Sequence, residues 1–197
     1  MNASEQRNII IKEVIAPALK KIGFKKSGNN FSNEGERFTK VFSITNSSWN
    51  DNNNVSFNLY IGILFHVANE IQGREIKFTN TSSCHFEINV LQLNSSKKLF
   101  KIEPKTDINE FREYVGNTIN NYVVPFFNHY TKIEDCIDLH SKYKSYSWDI
   151  KPFIGLTLIE KGNVEIGTKL LENINPTYTE EFRKKIIAYK DLLLAQN

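Results

Sequence analysis

Two cysteines, five prolines, nine glycines and a single methionine stand in a chain of 197 residues. Each scarcity excludes something. Cys84 and Cys136 are too few and too far apart for a disulfide framework. The opening Met1–Glu5 carries no basic segment leading into an apolar stretch, so it does not read as a secretory leader. The expectation is a cytoplasmic protein with reduced thiols. So little proline and glycine leaves no room for a collagen-like or low-complexity chain. No uncharged apolar run approaches the ~18 residues of a membrane span, and no membrane association is expected. Arginine is scarce too, five of 25 basic residues, and the net charge is only +3. A nucleic-acid surface concentrates its charge in a stripe and favours the bidentate guanidinium. The clusters Lys20, Lys21, Lys25, Lys26 and Lys97, Lys98, Lys101, Lys105 therefore read as solvated surface.

What is abundant is phenylalanine, with 14 copies, and asparagine, with 24. The first supplies the bulk of a core. The second, beside many Ile and Lys, reads as a coding bias rather than a function. Ile11, Val14, Ile15, Ala18, Leu19 and Ile22 make the stripe of an amphipathic helix. Asn2 with Glu5 is a capping-box pair at its start, and Gly23 is a left-handed stop. Pro17 should kink it or cost one turn its hydrogen bond. After Gly23 the period becomes two. Short paired strands flank Gly28, then Arg37–Asn46 alternates, with Phe38, Phe42 and Ile44 on one face and Thr39, Val41, Ser43 and Thr45 on the other. Val55–His66 is the strongest strand, with Val55, Phe57, Leu59, Ile61, Ile63 and Phe65 on one face. Residues 66–82 read as a short helix or a loop. Strand alternation returns from Cys84 to Leu91 and again over Leu99–Ile102.

Asp107 with Glu110 opens a second long helix, carried by Ile108, Phe111, Val115, Ile119, Tyr122 and Phe126, until Pro125 kinks or ends it. Thr131 with Glu134 repeats the capping pattern. Ser141–Ser147 is the best linker. Three short helices follow over 153–161, 164–174 and 180–195, with Thr177 and Glu180 capping the last. The fold class is α+β: an antiparallel sheet of five or six strands, two helices on one face, and a helical C-terminal extension packed on it. The division expected is 1–142 for the α+β domain and 148–197 for the extension.

The run Leu19-Lys20-Lys21-Ile22-Gly23-Phe24-Lys25-Lys26, then Phe31, then Asn58-Leu59-Tyr60-Ile61-Gly62, resembles the opening of the bacterial domain-of-unknown-function family DUF4304. Asp107–Leu139, with Val124-Pro125-Phe126-Phe127 inside it, is similar to the helix closing that domain. The resemblance spans roughly residues 5–140 and implies helices on an antiparallel sheet. It implies no catalytic residue. The family pattern places an aromatic, often Trp, near the last strand, where this chain has Phe100.

Candidate chemistry is sparse. Cys84, His85, Cys136 and His140 are the one metal-like set, but adjacent strand residues point to opposite faces and the spacings do not match a zinc site. No metal or cofactor is expected. No nucleophile elbow and no phosphate-cradling glycine loop is present. His85 and Glu87 share a strand face, the nearest approach to acid–base chemistry. Tyr143, Tyr146 and Trp148 alternate with Lys142, Lys144 and Lys151, a pattern that linker aromatics packing the extension explain. The reading is a non-enzymatic module that binds another protein. Its surface is the polar sheet face with Asn58, Tyr60, His85 and Glu87, over which the loop carrying Trp49 is able to fold. An enzyme centred on His85 and Glu87, or a weak nucleic-acid binder, are the alternatives.

Overall fold

A computed structural model describes residues 1–75, 80–94, 98–143 and 149–196. The aromatic and lysine pattern at Lys144, Tyr146 and Trp148, and Lys97 of the second lysine cluster, lie outside the described residues.

The sheet is antiparallel throughout. Strands β1 (Lys25–Ser27), β2 (Asn30–Glu34), β3 (Phe38–Asn46), β4 (Val55–Phe65) and β5 (Phe86–Asn89) follow one another in order, and β6 (Phe100–Ile102) pairs with β4. The eleven residues of β4 are long enough for its outer edge to be shared. Tyr60–Ile63 pairs with β5, and Val55–Phe57 pairs with β6. The register sets Phe42 opposite Ile61 and Ile44 opposite Leu59, so the apolar alternations of β3 and β4 fall on one face.

That face is covered by two long helices. The first runs through α1 (Ala3–Ile10), a π-helical turn (Ile11–Ile15) and α2 (Ala16–Lys21). Its capping box forms as expected, Glu5 N–H donating to Asn2 and Asn2 N–H to Glu5, each at 2.9 Å. Gly23 closes it at φ 87°. The helix continues through Pro17 because the preceding turn widens: Ala16 N–H reaches back five residues, to the carbonyl of Ile11. The second helix repeats the device. After α4 (Ile108–Thr118) and α5 (Val124–His129) are joined by a π turn at Ile119–Val123, Val124 N–H donates to Ile119, one residue before Pro125. A proline ring clashes with the carbonyl four residues earlier in an α-helix, and a π turn just before it is a known accommodation. Phe111 of α4 meets Phe57 edge-on at 6.3 Å, and Phe57 also stacks on Phe100 of β6.

Of the stretch 66–82, residues 76–79 lie outside the described residues; the rest holds α3 (His66–Gln72) and the start of a 3₁₀ turn (Thr81–Ser83). Two expected caps are displaced. Thr131 does not cap the segment after α5: the Asp135 carboxylate accepts from Thr131 and Lys132 N–H, bending the chain into a 3₁₀ turn (Glu134–Asp138) ahead of α6 (Leu139–Lys142). Thr179, not Thr177, accepts from Phe182 N–H at the head of α9 (Glu180–Gln196).

The last part of the chain is built around α7 (Lys151–Glu160), whose residues Pro152–Ile159 are all buried. A helix apolar all round must be enclosed. Phe153 lies 6.3 Å from Phe65 and 5.0 Å from His85, so α7 packs on the end of β4. The helix α8 (Val164–Leu170) crosses it glycine to glycine: a Cβ on Gly167 would lie 2.5 Å from the carbonyl oxygen of Gly155.

Candidate functional site

Period-two geometry assigns the second sheet face to Thr39, Val41, Ser43 and Thr45 of β3, Ser56, Asn58, Tyr60, Gly62 and Leu64 of β4, Glu87 and Asn89 of β5, and Lys101 of β6. This face is not uniformly open. Near Gly62 it is roofed by the segment 81–84. A Cβ on Gly62 would stand 2.6 Å from the Cys84 sulfur and 3.2 Å from Thr81, so the roof lies on the strand only because no side chain is there. Thr81 N–H donates to the Ser43 hydroxyl at 3.0 Å, and Thr39 Oγ1 lies 2.9 Å from His66 Nε2. Thr39 and Ser43 are therefore buried. Beyond the roof, Ser56, Asn58, Tyr60, Glu87 and Asn89 are half-buried and Thr45 is exposed. Asn89 Nδ2 reaches Asn58 Oδ1 at 3.4 Å, a cross-strand pair beside Tyr60.

His85 does not belong to the open part, contrary to the expectation. It is 7% exposed, and its ring sits against Phe65 and Phe153. Its Nδ1 accepts the backbone N–H of Phe65 at 3.1 Å. Desolvation pulls its pKa down to about 4, which keeps the ring neutral. Strand alternation alone put it beside Glu87, but α7 closes over this end of the sheet and takes His85 into the core. Cys84 belongs to the roof and lies near Glu87, and burial first, then that carboxylate, pushes its thiol up. Cys136 is also buried and its thiol also raised by burial, on the opposite side of the sheet near Lys40. The metal-like set is thus split between the two faces, and no group of three or more potential metal ligands gathers among the described residues.

Trp49 is 90% exposed and does not fold over the sheet. Its loop leans the other way, toward the first helix: Ala3 N–H donates to the Asn52 carbonyl at 3.0 Å, and Arg7 to Asn46 at 2.5 Å. The loop is braced by its own side chains. Asn50 donates to the Ser56 carbonyl and accepts from Ser56 N–H, replacing a strand partner, while Asp51 Oδ1 accepts from Asn53 and Asn54 N–H. Sequence reasoning missed Asn50; its only signal was an asparagine in a run of asparagines. Trp49 is a large apolar side chain held out from an ordered loop, at the end of the strands that carry Asn58 and Tyr60.

No helix among the described residues is long and apolar enough to cross a membrane. The family model for a domain of unknown function (DUF4304) matches residues 15–129, which hold all six strands, the end of the first helix with Pro17 and the whole of the second, and the chain belongs to that family. Among curated proteins and among solved structures, nothing matches the chain.

Proposed function

We propose that this member of the DUF4304 family is a non-enzymatic module that binds another protein through the open part of its second sheet face and the adjoining Trp49 loop. One observation carries the reading: Trp49, 90% exposed, stands on a loop whose backbone is already fixed by Asn50 and Asp51. A tryptophan costs little conformational entropy to immobilise and supplies large amphipathic contact area, which is why it recurs as an energetic anchor of interfaces. Tyr60, with Asn58 and Asn89 beside it, offers a second anchor among hydrogen-bonding groups. The helical extension serves here as support, closing the end of the sheet so that only the Asn58 end is presented.

The burial of His85 argues against an enzyme centred on it. A general base must reach a substrate proton, and this ring is enclosed by two phenylalanines with Nδ1 engaged by the backbone. The test compares tagged wild-type chain with Trp49→Ala and Tyr60→Ala in quantitative affinity capture, after circular dichroism shows each variant folded. The expected result is a partner whose affinity falls by more than about 1 kcal/mol with each substitution. Unchanged affinity in both folded variants refutes the surface.

A further inference from the structure

A cleft of about 310 Å³ opens between the β2–β3 turn, the segment after α5 and the end of α7. We propose that it binds a phosphate-type dianion. Arg37, Lys40, Lys132 and Lys161 reach it from three segments of the chain, against one lining carboxylate, Glu36. Two of the cations are compensated. Arg37 is ion-paired with Glu160, and Lys161 lies 3.6 Å from Glu36, which also stands 4.0 Å from Arg37 Nε. Lys40 and Lys132 have no carboxylate within ion-pair distance among the described residues. With Lys40 and Lys132 outside any ion pair, the opening carries more positive than negative charge, which favours an anion.

Lys40 is the informative residue. It stands opposite Ile63 in the row that holds Phe38 and Phe42, where an apolar side chain is the rule. Its ammonium has three N–H groups, and one is spent on the Phe127 carbonyl at 2.6 Å. That bond caps the last turn of α5 and has the right sign for the helix dipole. Capping accounts for a cation at this position, but not for three more converging on the same opening. Desolvation lowers the Lys40 pKa, which marks a charge paid for by burial and not repaid by an ion pair. Asp135, whose carboxylate accepts from the N–H groups of Thr131 and Lys132 and from the Thr131 hydroxyl, lies beyond ion-pair distance but still acts on Lys40 through space and offsets part of its charge. Arg37 Nε is buried without a hydrogen-bond partner. Buried Phe38 and Ile133 line the cleft and lower the local dielectric, which strengthens attraction for an anion. Lysines and an arginine are the side chains that recognise phosphate. The volume admits a phosphate or a small phosphomonoester.

The test is calorimetric titration and thermal unfolding of the full chain with inorganic phosphate, glycerol phosphate and acetate at matched ionic strength. The expected result is saturable binding of phosphate or its ester, about tenfold or more tighter than acetate. Tighter binding of the ester identifies a phosphorylated small molecule as the ligand; equal binding identifies free phosphate. Because Lys40 also caps α5, the exposed Lys132→Gln and Lys161→Gln carry the test. Each should weaken phosphate binding while leaving the unliganded melting temperature in place. Absence of saturation, equal affinity for acetate, or undiminished binding in the Lys132→Gln, Lys161→Gln double variant overturns the proposal.

Discussion

Gly167→Ala is the substitution whose sign the packing decides. In an exposed helix interior, replacing glycine by alanine stabilises by roughly 0.5–1 kcal/mol, because the unfolded chain loses freedom it would otherwise keep. At Gly167 the added Cβ would lie 2.5 Å from the Gly155 carbonyl oxygen, 2.7 Å from Ile159 Cγ1 and 3.0 Å from Ile159 N. Two of those neighbours are backbone atoms of α7, a helix buried on every side, so neither has room to retreat. Overpacking of a dense interior costs about 1–3 kcal/mol, which exceeds the propensity gain. Gly116 of α4 is the control, since its Cβ would meet only Val14 Cγ1 at an ordinary 3.5 Å. In urea unfolding followed by circular dichroism, Gly167→Ala should lower the midpoint and Gly116→Ala should raise it or leave it alone. Gly155→Ala should behave as Gly167→Ala does, with Cβ 2.8 Å from the Gly167 carbonyl. The double variant should cost less than the sum, because one separation of the two helices relieves both clashes. A midpoint for Gly167→Ala at or above wild type would refute the close crossing.

Phe57→Ala should cost about 3–5 kcal/mol, since Phe57 is enclosed by Phe100 and Phe111; an unchanged urea midpoint would mean the wrong face of β4 is buried. Asp107→Ala should cost about 1 kcal/mol by freeing the N–H groups of Asn109 and Glu110, read by the same assay and reversed in Asp107→Ser. For His85, burial lowers the folded pKa from 6.5 to about 4, so the unfolded chain takes the proton first. The His85 contribution is therefore full above pH 6.5, falls by on the order of 3 kcal/mol as pH drops toward 4, and changes no further below that. His66, also lowered by burial, adds in the same direction. His85→Gln should flatten this slope, and an identical slope would show that His85 titrates normally. Chelator should leave the melting temperature unchanged, because the Cys84 and Cys136 thiols lie on opposite sides of the sheet; a zinc equivalent lost with Cys136→Ser contradicts that placement.

Much of the fold was legible because single periodicities were strong. The alternation from Val55 to Phe65, the Asn2–Glu5 box and the short helix expected over 153–161 each match the element found. Pro17 and Pro125 announced missing N–H groups, but not where the neighbouring hydrogen bonds would go. The π turns place that adjustment before the proline: the helix at Pro17 changes its hydrogen bonding for one turn, and the helix at Pro125 continues to His129 rather than ending. The caps at Thr131 and Thr177 failed for a local reason. Neighbouring polar side chains take the local N–H groups in another arrangement: Asp135 reaches back to Thr131 and Lys132, and Thr179, one residue ahead of the helix, accepts from Phe182.

The two surfaces were legible to different degrees, and the difference lies in how many chain segments build each. The open sheet face is carried by neighbouring strands, so period two assigns Asn58, Tyr60, Glu87 and Asn89 to it directly. What period two cannot supply is the cover. The roof on Gly62 and the closure of α7 over His85 are long-range contacts, and the lone glycine in an apolar strand was their only local trace. The basic cleft has no local signature at all. Residues 37, 40, 132 and 161 meet only because the β2–β3 turn, the end of α5 and the end of α7 come to one place. Each lysine by itself reads as solvated surface, as most lysines are. Lys40 is the exception in kind. It interrupts the row of Phe38, Phe42 and Ile44 on the face that packs against helices. A cation at a core-facing strand position demands a partner, and Phe127 O supplies only one of the three acceptors its ammonium can use.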